Sequence, residues 1–280
     1  MHAQEKESVM SRTDYVLGTH DEEIKRLGVQ HRAWRPSSLA AWKAAGIDRG
    51  QTVLDVGCGP GFASFDLAEM VGLSGRVIAI DKSEKFLSAL EAECSVRKID
   101  NISTRRADLD SYDFEAVNGD AAWCRWVFTF LTRPQQALTH LAGAIRLGGV
   151  LVVHEYFDYA TWRTAPRCPK LEEFVRAVMA SWRDAGGEPD IALSLSSWLE
   201  DLDFELHSVK PILDIVQIDH PKWGWMRSFL EVGRRRLVDL GYLTAVQADA
   251  IWQAFKAVES MPGSRMISPA VLEIIAQKHQ

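Results

Sequence analysis

The chain has 280 residues, 47% of them hydrophobic, and a formal net charge of −6. That length and apolar content suit one sizeable α/β core with a smaller cap, and the acidic balance argues against nucleic acid and for a small molecule as partner. Cys58, Cys94, Cys124 and Cys168 stand far apart without a CxxC pair, against a zinc site or a disulfide framework; the charged N-terminus has no apolar signal core, and no run approaches the roughly 18 apolar residues of a membrane span. The expectation is a cytoplasmic protein with reduced thiols.

In chain order, Thr19-His-Asp-Glu22 reads as a capping box opening a helix through Ile24, Leu27, Val29 and Trp34 to Pro36. A second helix from Ser37 carries Leu39, Trp42 and Ala45 and stops at Gly46; both are expected to cover the sheet edge. The stretch 52–61, TVLDVGCGPG, then reads as a buried strand around Asp55, a turn with glycine at 57, 59 and 61, and a helix over Phe62–Met70. Gly57 and Gly59 let the backbone pass close beneath a ligand, and Gly61 opens the helix. The turn is expected to present backbone N–H groups and a helix N-terminus to a carboxylate- or phosphate-like group.

Arg76–Asp81, almost continuously apolar, reads as a parallel strand covered on both faces. Asp81 closes it, near the roughly 20-residue separation from the glycine turn that sets an acid beside ribose hydroxyls in dinucleotide-type folds. Ser83 caps a helix to about Ile99. A third strand, Ile102–Arg106, delivers Asp108 to the crevice, where it meets an adenine amino group or stays an exposed loop residue. Asn118-Gly119-Asp120 reads as a turn before a fourth strand at Ala121–Cys124, with Arg125, Trp126 and Phe128 just past its end. A helix over Gln135–Arg146 stops at Gly148-Gly149, and the fifth strand begins at Val150. It ends on His154, Glu155 and Tyr156, which with Asp158 form a cluster of candidate proton acceptors; a structural His–Glu pair is the competing reading.

A helix over Lys170–Ala185, a short helix over Ser194–Leu199, a sixth strand from Phe204 continuing over Ile212–Ile218, a helical stretch over Pro221–Glu259 and a seventh strand over Arg265–Ala276 follow. The two helical inserts around the sixth strand read as a lid over the crevice. Ten tryptophans, several of them in the lid, serve either to pack it onto the sheet or to form an aromatic pocket. Arg234-Arg235-Arg236 reads as a solvated helix face.

The stretch from Val53 to Gly61, with Asp81 closing the second strand, Ala107-Asp108 after the third and Leu147-Gly148-Gly149 before the fifth, resembles the class I S-adenosylmethionine-dependent methyltransferases. Within them it resembles the ubiquinone-biosynthesis-like small-molecule type. Tyr15-Val-Leu-Gly18 with Glu23, Arg26-Leu27 and Gln30 is similar to a leader helix of a bacterial subset. The resemblance implies a doubly wound, Rossmann-like seven-stranded α/β sheet with its last strand antiparallel. Residues 1–46 would be the helical leader, 47–158 the cofactor-binding core, and 159–280 the last two strands with the lid. It implies S-adenosylmethionine as cofactor, with Asp55 and Gly57 near the methionine amino end and Gly59 along the cofactor backbone. Asp81 would hold the ribose beside Lys82, Asp108 and Leu109 the adenine, and the Arg125 backbone the methionine side, with Tyr15 and Gln30 closing over. The family's small Gly before Asp108 is Ala107 here.

Methyl transfer from a sulfonium is an in-line displacement, so the protein must mainly align the two reactants and exclude water. A base is needed only for a protonated acceptor. His154, Glu155 and Tyr156 are the candidates, with His20 and His31 less central. The expected partner is an aromatic or hydrophobic small-molecule acceptor, with a homodimer left open. Two rivals stand: a non-catalytic S-adenosylmethionine-binding protein, and an NAD-dependent oxidoreductase. The latter's GxGxxG spacing is missed because Gly61 falls one position early.

Overall fold

The computed structural model describes residues 21–112, 114 and 117–279. The capping box at Thr19 and the candidate Tyr15 lie outside them. Strands β1 (Thr52–Val56), β2 (Arg76–Asp81), β3 (Ile102–Arg106), β4 (Gly119–Arg125), β5 (Ile145–Asp158), β7 (Phe204–Ile212) and β10 (Ala270–Lys278) form one sheet in the order β3-β2-β1-β4-β5-β10-β7. The first five pair in parallel, and β10 runs antiparallel to β5 and β7 on either side. This is the expected doubly wound sheet, with its antiparallel strand one place in from the edge. Three short strands, β6 (Arg163–Ala165), β8 (Ile215–Val216) and β9 (Arg265–Ile267), make a separate antiparallel sheet.

The predicted continuation of the sixth strand over Ile212–Ile218 does not form. The Asp214 N–H donates to Ser268 and its carboxylate pairs with buried Lys222, which turns the chain out of the main sheet toward β9. The predicted seventh strand splits for a related reason. Pro269, which has no N–H for a ladder, separates β9 from β10.

The leader is one helix, α1 (Asp21–Ala44), with Pro36 inside it, and not two helices broken at Pro36. Pro36 deprives the Arg32 carbonyl of its donor, but both residues are exposed, whereas Trp34, Ser38, Ala41 and Trp42 are buried. Tertiary packing of that face outweighs the local break. Nor does α1 merely cover an edge: Trp42 meets Trp123 of β4 edge-on at 5.2 Å, in a core cluster with Val53, Leu67 and Val77.

Helices α2 (Phe62–Val71), α3 (Glu84–Arg97), α4 (Pro134–Ala144), α5 (Pro169–Asp184), α6 (Ala192–Asp201), α7 (Pro221–Asp239) and α8 (Ala245–Glu259) complete the chain. Alternation along β1 and β4 divides the core. Leu54, Val56, Ala122 and Cys124 pack with Leu138 of α4 and with Leu195 and Leu199 of α6, and Val53 and Trp123 pack with α1 and α2 on the other face. The predicted short helix at 194–199 is thus a core helix. A third cluster joins α5, α7 and α8 to Trp34 of α1 and Tyr156 of β5.

Two boundaries differ from expectation. Gly119 and Asp120 belong to β4 rather than to a turn: the Asp120 carboxylate accepts from the Thr52 N–H at 2.7 Å and from Arg146 Nε at 2.7 Å. The fourth helix therefore ends at Ala144, and Ile145 pairs with Gly119. Arg234 is no solvated residue; it pairs with Asp249 at 2.8 Å and covers Trp252, fastening α7 to α8. Truncating Trp42 should detach α1 from the sheet. Trp42→Ala is expected to cost about 3–5 kcal/mol in urea unfolding, and a loss under about 1 kcal/mol would contradict this packing.

Candidate functional site

The glycine turn follows β1 and is clamped to the end of β2. Gly57 N–H and Cys58 N–H both donate to the Ile80 carbonyl, at 2.8 and 3.0 Å, and Gly61 N–H donates to the Cys58 carbonyl at 3.1 Å. Gly59 N–H donates to Asp81 Oδ2 at 2.8 Å, and Ser83 N–H to Asp81 Oδ1 at 2.8 Å. The turn's own donors are therefore satisfied within the protein, and of the N–H groups expected to face outward only those opening α2 are left without a side-chain cap. Gly57 has φ +68°, and a Cβ there would collide with Val127; a Cβ on Gly59 would meet only Leu27, at 3.9 Å. Packing thus demands the first glycine, and the second borders open space.

That space is a cleft of about 820 Å³ counting its open mouth, at the C-terminal ends of β1, β2 and β4 and beneath α1. Asp55, Gly57, Gly59 and Asp81 line it on the β1 and β2 side, Gln30 and His31 from α1, and Arg125 from β4. Asp55 accepts from the Ser64 hydroxyl, and burial pushes its carboxyl up to about 6 against the pull of that bond and of Arg125. Burial likewise raises Asp81 against the backbone donors of Ser83 and Gly59 and the charge of Lys82. Gln30 Oε1 accepts from Arg26 at 2.9 Å and from Trp225 of α7 at 3.1 Å, which ties the two helices over the cleft. His31 Nε2 donates to Asp66 at 2.9 Å, the Asp66 carboxylate is also held by Arg35, and His31 Nδ1 is buried without a partner. Burial lowers the His31 pKa, with Arg125 adding to the effect. No sequence signal links Asp66 to His31, which are 35 residues apart and meet only through the packing of α1 on α2.

The opposite wall is aromatic. Trp126, just past β4, stacks on Tyr156 at 5.2 Å and on Trp225 at 5.3 Å. Phe130, Trp182 of α5 and Phe229 of α7 continue the wall.

Of the three predicted proton acceptors, only Tyr156 reaches the cleft. His154 shares its strand face but lies one step deeper, fully buried, 4.9 Å from the Trp123 ring and bonded through Nε2 to Glu273 at 3.2 Å. Glu155 points to the opposite face, as alternation requires. It accepts from the Val127 N–H, the Phe128 N–H and the Thr129 hydroxyl, and so anchors the turn after β4. Neither is placed to act as a base. Among the other predicted cofactor residues, Lys82 and Asp108 are exposed at the ends of β2 and β3. Leu109 is buried in the core near Phe114, and none of the three lines the cleft.

Residues 53–149 match the methyltransferase domain family. The chain is 36% identical over 91 residues to a demethylmenaquinone methyltransferase of Lactococcus lactis subsp. lactis, covering 32% of this chain and 35% of that enzyme. It spans about a third to a half of the length of the curated relatives it matches. Among solved structures, a putative methyltransferase from Bacillus halodurans superposes with a TM-score of 0.59 at 14% identity, over 86% of this chain and 98% of that one. The [4+2]-cyclase SpnF superposes with a TM-score of 0.54 at 17% identity, over 88% and 80%. With the strand order, the clamped glycine turn and Asp81, these findings give the chain a methyltransferase domain over residues 53–149, on a sheet shared with solved methyltransferase structures. That domain is similar in sequence to those of ubiquinone- and menaquinone-biosynthesis methyltransferases.

The structural role of Glu155 is open to direct measurement. Glu155→Ala leaves three donors buried without an acceptor and is expected to cost about 2–5 kcal/mol, whereas Glu155→Gln, which keeps an oxygen for the two N–H groups, should lose far less. Equal losses in chemical denaturation would contradict the anchoring role.

Proposed function

We propose that this chain transfers the methyl group of S-adenosylmethionine to a small-molecule acceptor lying against the aromatic wall, in a pocket covered by α5 and α7. The observation that carries this reading is a single cleft joining the glycine turn and Asp81 to Trp126, Tyr156, Trp182 and Phe229. When bound, the cofactor supplies an electrophilic methyl group on a sulfonium. Asp81, each of whose two oxygens keeps a lone pair beyond its bond to Gly59 or Ser83, takes the ribose hydroxyls. Asp55 takes the methionyl ammonium, and Gly59 allows close approach. Asp108, exposed at the neighbouring strand end, takes the adenine amino group beside Lys82. Gln30 closes the cleft from α1. Tyr156 and the rings around it orient the acceptor and exclude water, which is most of what an in-line displacement asks of a protein.

The clamped turn also weighs against the oxidoreductase reading. A pyrophosphate needs outward backbone donors, and those of Gly57, Cys58 and Gly59 are already bonded. The likeness to SpnF keeps a different reaction, or binding without turnover, as the second reading.

Calorimetric titration with S-adenosylmethionine, S-adenosylhomocysteine and NAD tests the cofactor assignment, and binding of NAD alone would sink it. Asp81→Ala is expected to weaken S-adenosylhomocysteine by tenfold or more, since it removes a charge-assisted acceptor worth about 1.5–3 kcal/mol. Turnover is tested with methyl-labelled cofactor and a panel of aromatic small molecules.

The pH dependence has a definite sign. Ser64, Arg125 and Asp81 act on Asp55, which must be ionised to accept an ammonium, and its carboxyl titrates at about 6 in the open cleft. Affinity for S-adenosylhomocysteine is expected to be flat above about pH 7 and to fall below about pH 6, approaching tenfold per unit. Asp55→Asn should bind more weakly and lose that slope. A slope unchanged in the variant would assign the titration to another group in the cleft, such as His31.

A further inference from the structure

Asp55 and Arg125 stand on adjacent parallel strands. Asp55 is in register with Trp123, and Arg125 lies two residues further along β4, so the three side chains leave the same face of the sheet. One strand spacing of about 4.8 Å and two residue steps of about 3.3 Å each separate their Cα positions, so both side chains reach into the same part of the cleft. The Arg125 guanidinium is held between the Trp123 and Trp126 rings, 5.7 and 5.2 Å from their centroids, and Nη1 donates to Ser38 at 2.8 Å.

Arg125 makes no ion pair among the described residues, and its remaining nitrogens are not sealed in the protein but belong to the cleft lining. Of the acids nearby, Asp66 is held by His31 and Arg35, and Asp55, whose charge acts on Arg125 from the next strand, bonds Ser64 through one oxygen and makes no ion pair with Arg125. A guanidinium this far inside a protein is unfavourable without a counter-anion, and its planar fork is shaped for a carboxylate. His31 beside it cannot serve that anion while neutral. Its Nε2–H is committed to Asp66 and Nδ1 is buried, so a neutral His31 has no N–H to offer a carboxylate in the cleft.

We infer that the Arg125 side chain binds the α-carboxylate of the cofactor's methionyl tail, with Asp55 taking its ammonium, so that the two residues recognise the amino-acid zwitterion as a pair. This rests on the S-adenosylmethionine reading above and adds to it a role for the side chain, where the family resemblance gave Arg125 only a backbone contact. A carboxylate carried by the acceptor is the competing source of the same chemistry.

The test compares S-adenosylhomocysteine with S-adenosyl-3-thiopropylamine, its analogue lacking only the carboxylate, by calorimetry on the full chain. The wild-type protein is expected to prefer S-adenosylhomocysteine by tenfold or more. Arg125→Gln should weaken S-adenosylhomocysteine at least tenfold and leave the analogue within twofold, erasing the preference. Arg125→Lys, which keeps the charge but not the fork, should fall between, and it decides the question if the glutamine variant does not fold. A preference that survives both substitutions, or an equal loss for both ligands, overturns the inference; survival is the result expected if Arg125 serves an acceptor carboxylate. A wild-type protein that binds neither ligand overturns the cofactor reading itself, and this inference with it.

Discussion

Two hydrogen bonds from Gly57 and Cys58 to the carbonyl of Ile80, and a third from Gly59 to the Asp81 carboxylate, hold the turn after β1 to the end of β2. The rest of the site is placed relative to this clamp. It fixes where Asp81 presents its remaining lone pairs, and it starts α2 at the angle that brings Ser64 to Asp55 and Asp66 to His31. It also decides what the turn cannot bind. With its donors satisfied inside the protein, the loop offers a ligand surface without a phosphate cradle, and the charges available to a ligand are those of side chains.

Those side chains divide the cleft. On the β1 and β2 side stand carboxylates raised by burial, with Arg125 as their cationic counterpart. On the other side stand stacked rings drawn from β4, β5, α5 and α7. A low-dielectric wall facing a charged one suits a reaction in which a cationic sulfonium loses its charge as the methyl group departs, because excluding water strengthens every fixed interaction around it. α1 completes both sides. Through Trp34, Trp42 and Ser38 it packs on the sheet, and through Gln30 it is tied to α7.

Much of the sheet was legible in the sequence because parallel strands buried on both faces read as short apolar runs bounded by glycine or a cap. β1 and β2 fall where those runs predict, and β3, the polar edge strand, where Ile102–Arg106 was expected. The misreadings have physical causes. Pro36 breaks a helix in isolation, but four buried residues on the opposite face hold α1 together. Gly119 looks like a turn residue, yet it is a strand residue because a Cβ there would collide with Leu54.

The candidate site was legible to the same degree and for the same reason. Local pattern alone determined the glycine turn, the buried Asp55 and the terminal Asp81, since each depends on neighbours within a few residues or on the end of a strand. Tertiary structure decided which polar groups beyond them face the cleft. His154, Glu155 and Tyr156 are consecutive, but alternation sends Glu155 to the far face, Trp34 and Trp123 cover His154, and only Tyr156 emerges. Conversely, His31 and Arg125 gain their places from Asp66 and Ser38, partners 35 and 87 residues away. A strand's sequence shows which residues share a face; what covers that face is fixed only when a helix from elsewhere in the chain packs against it.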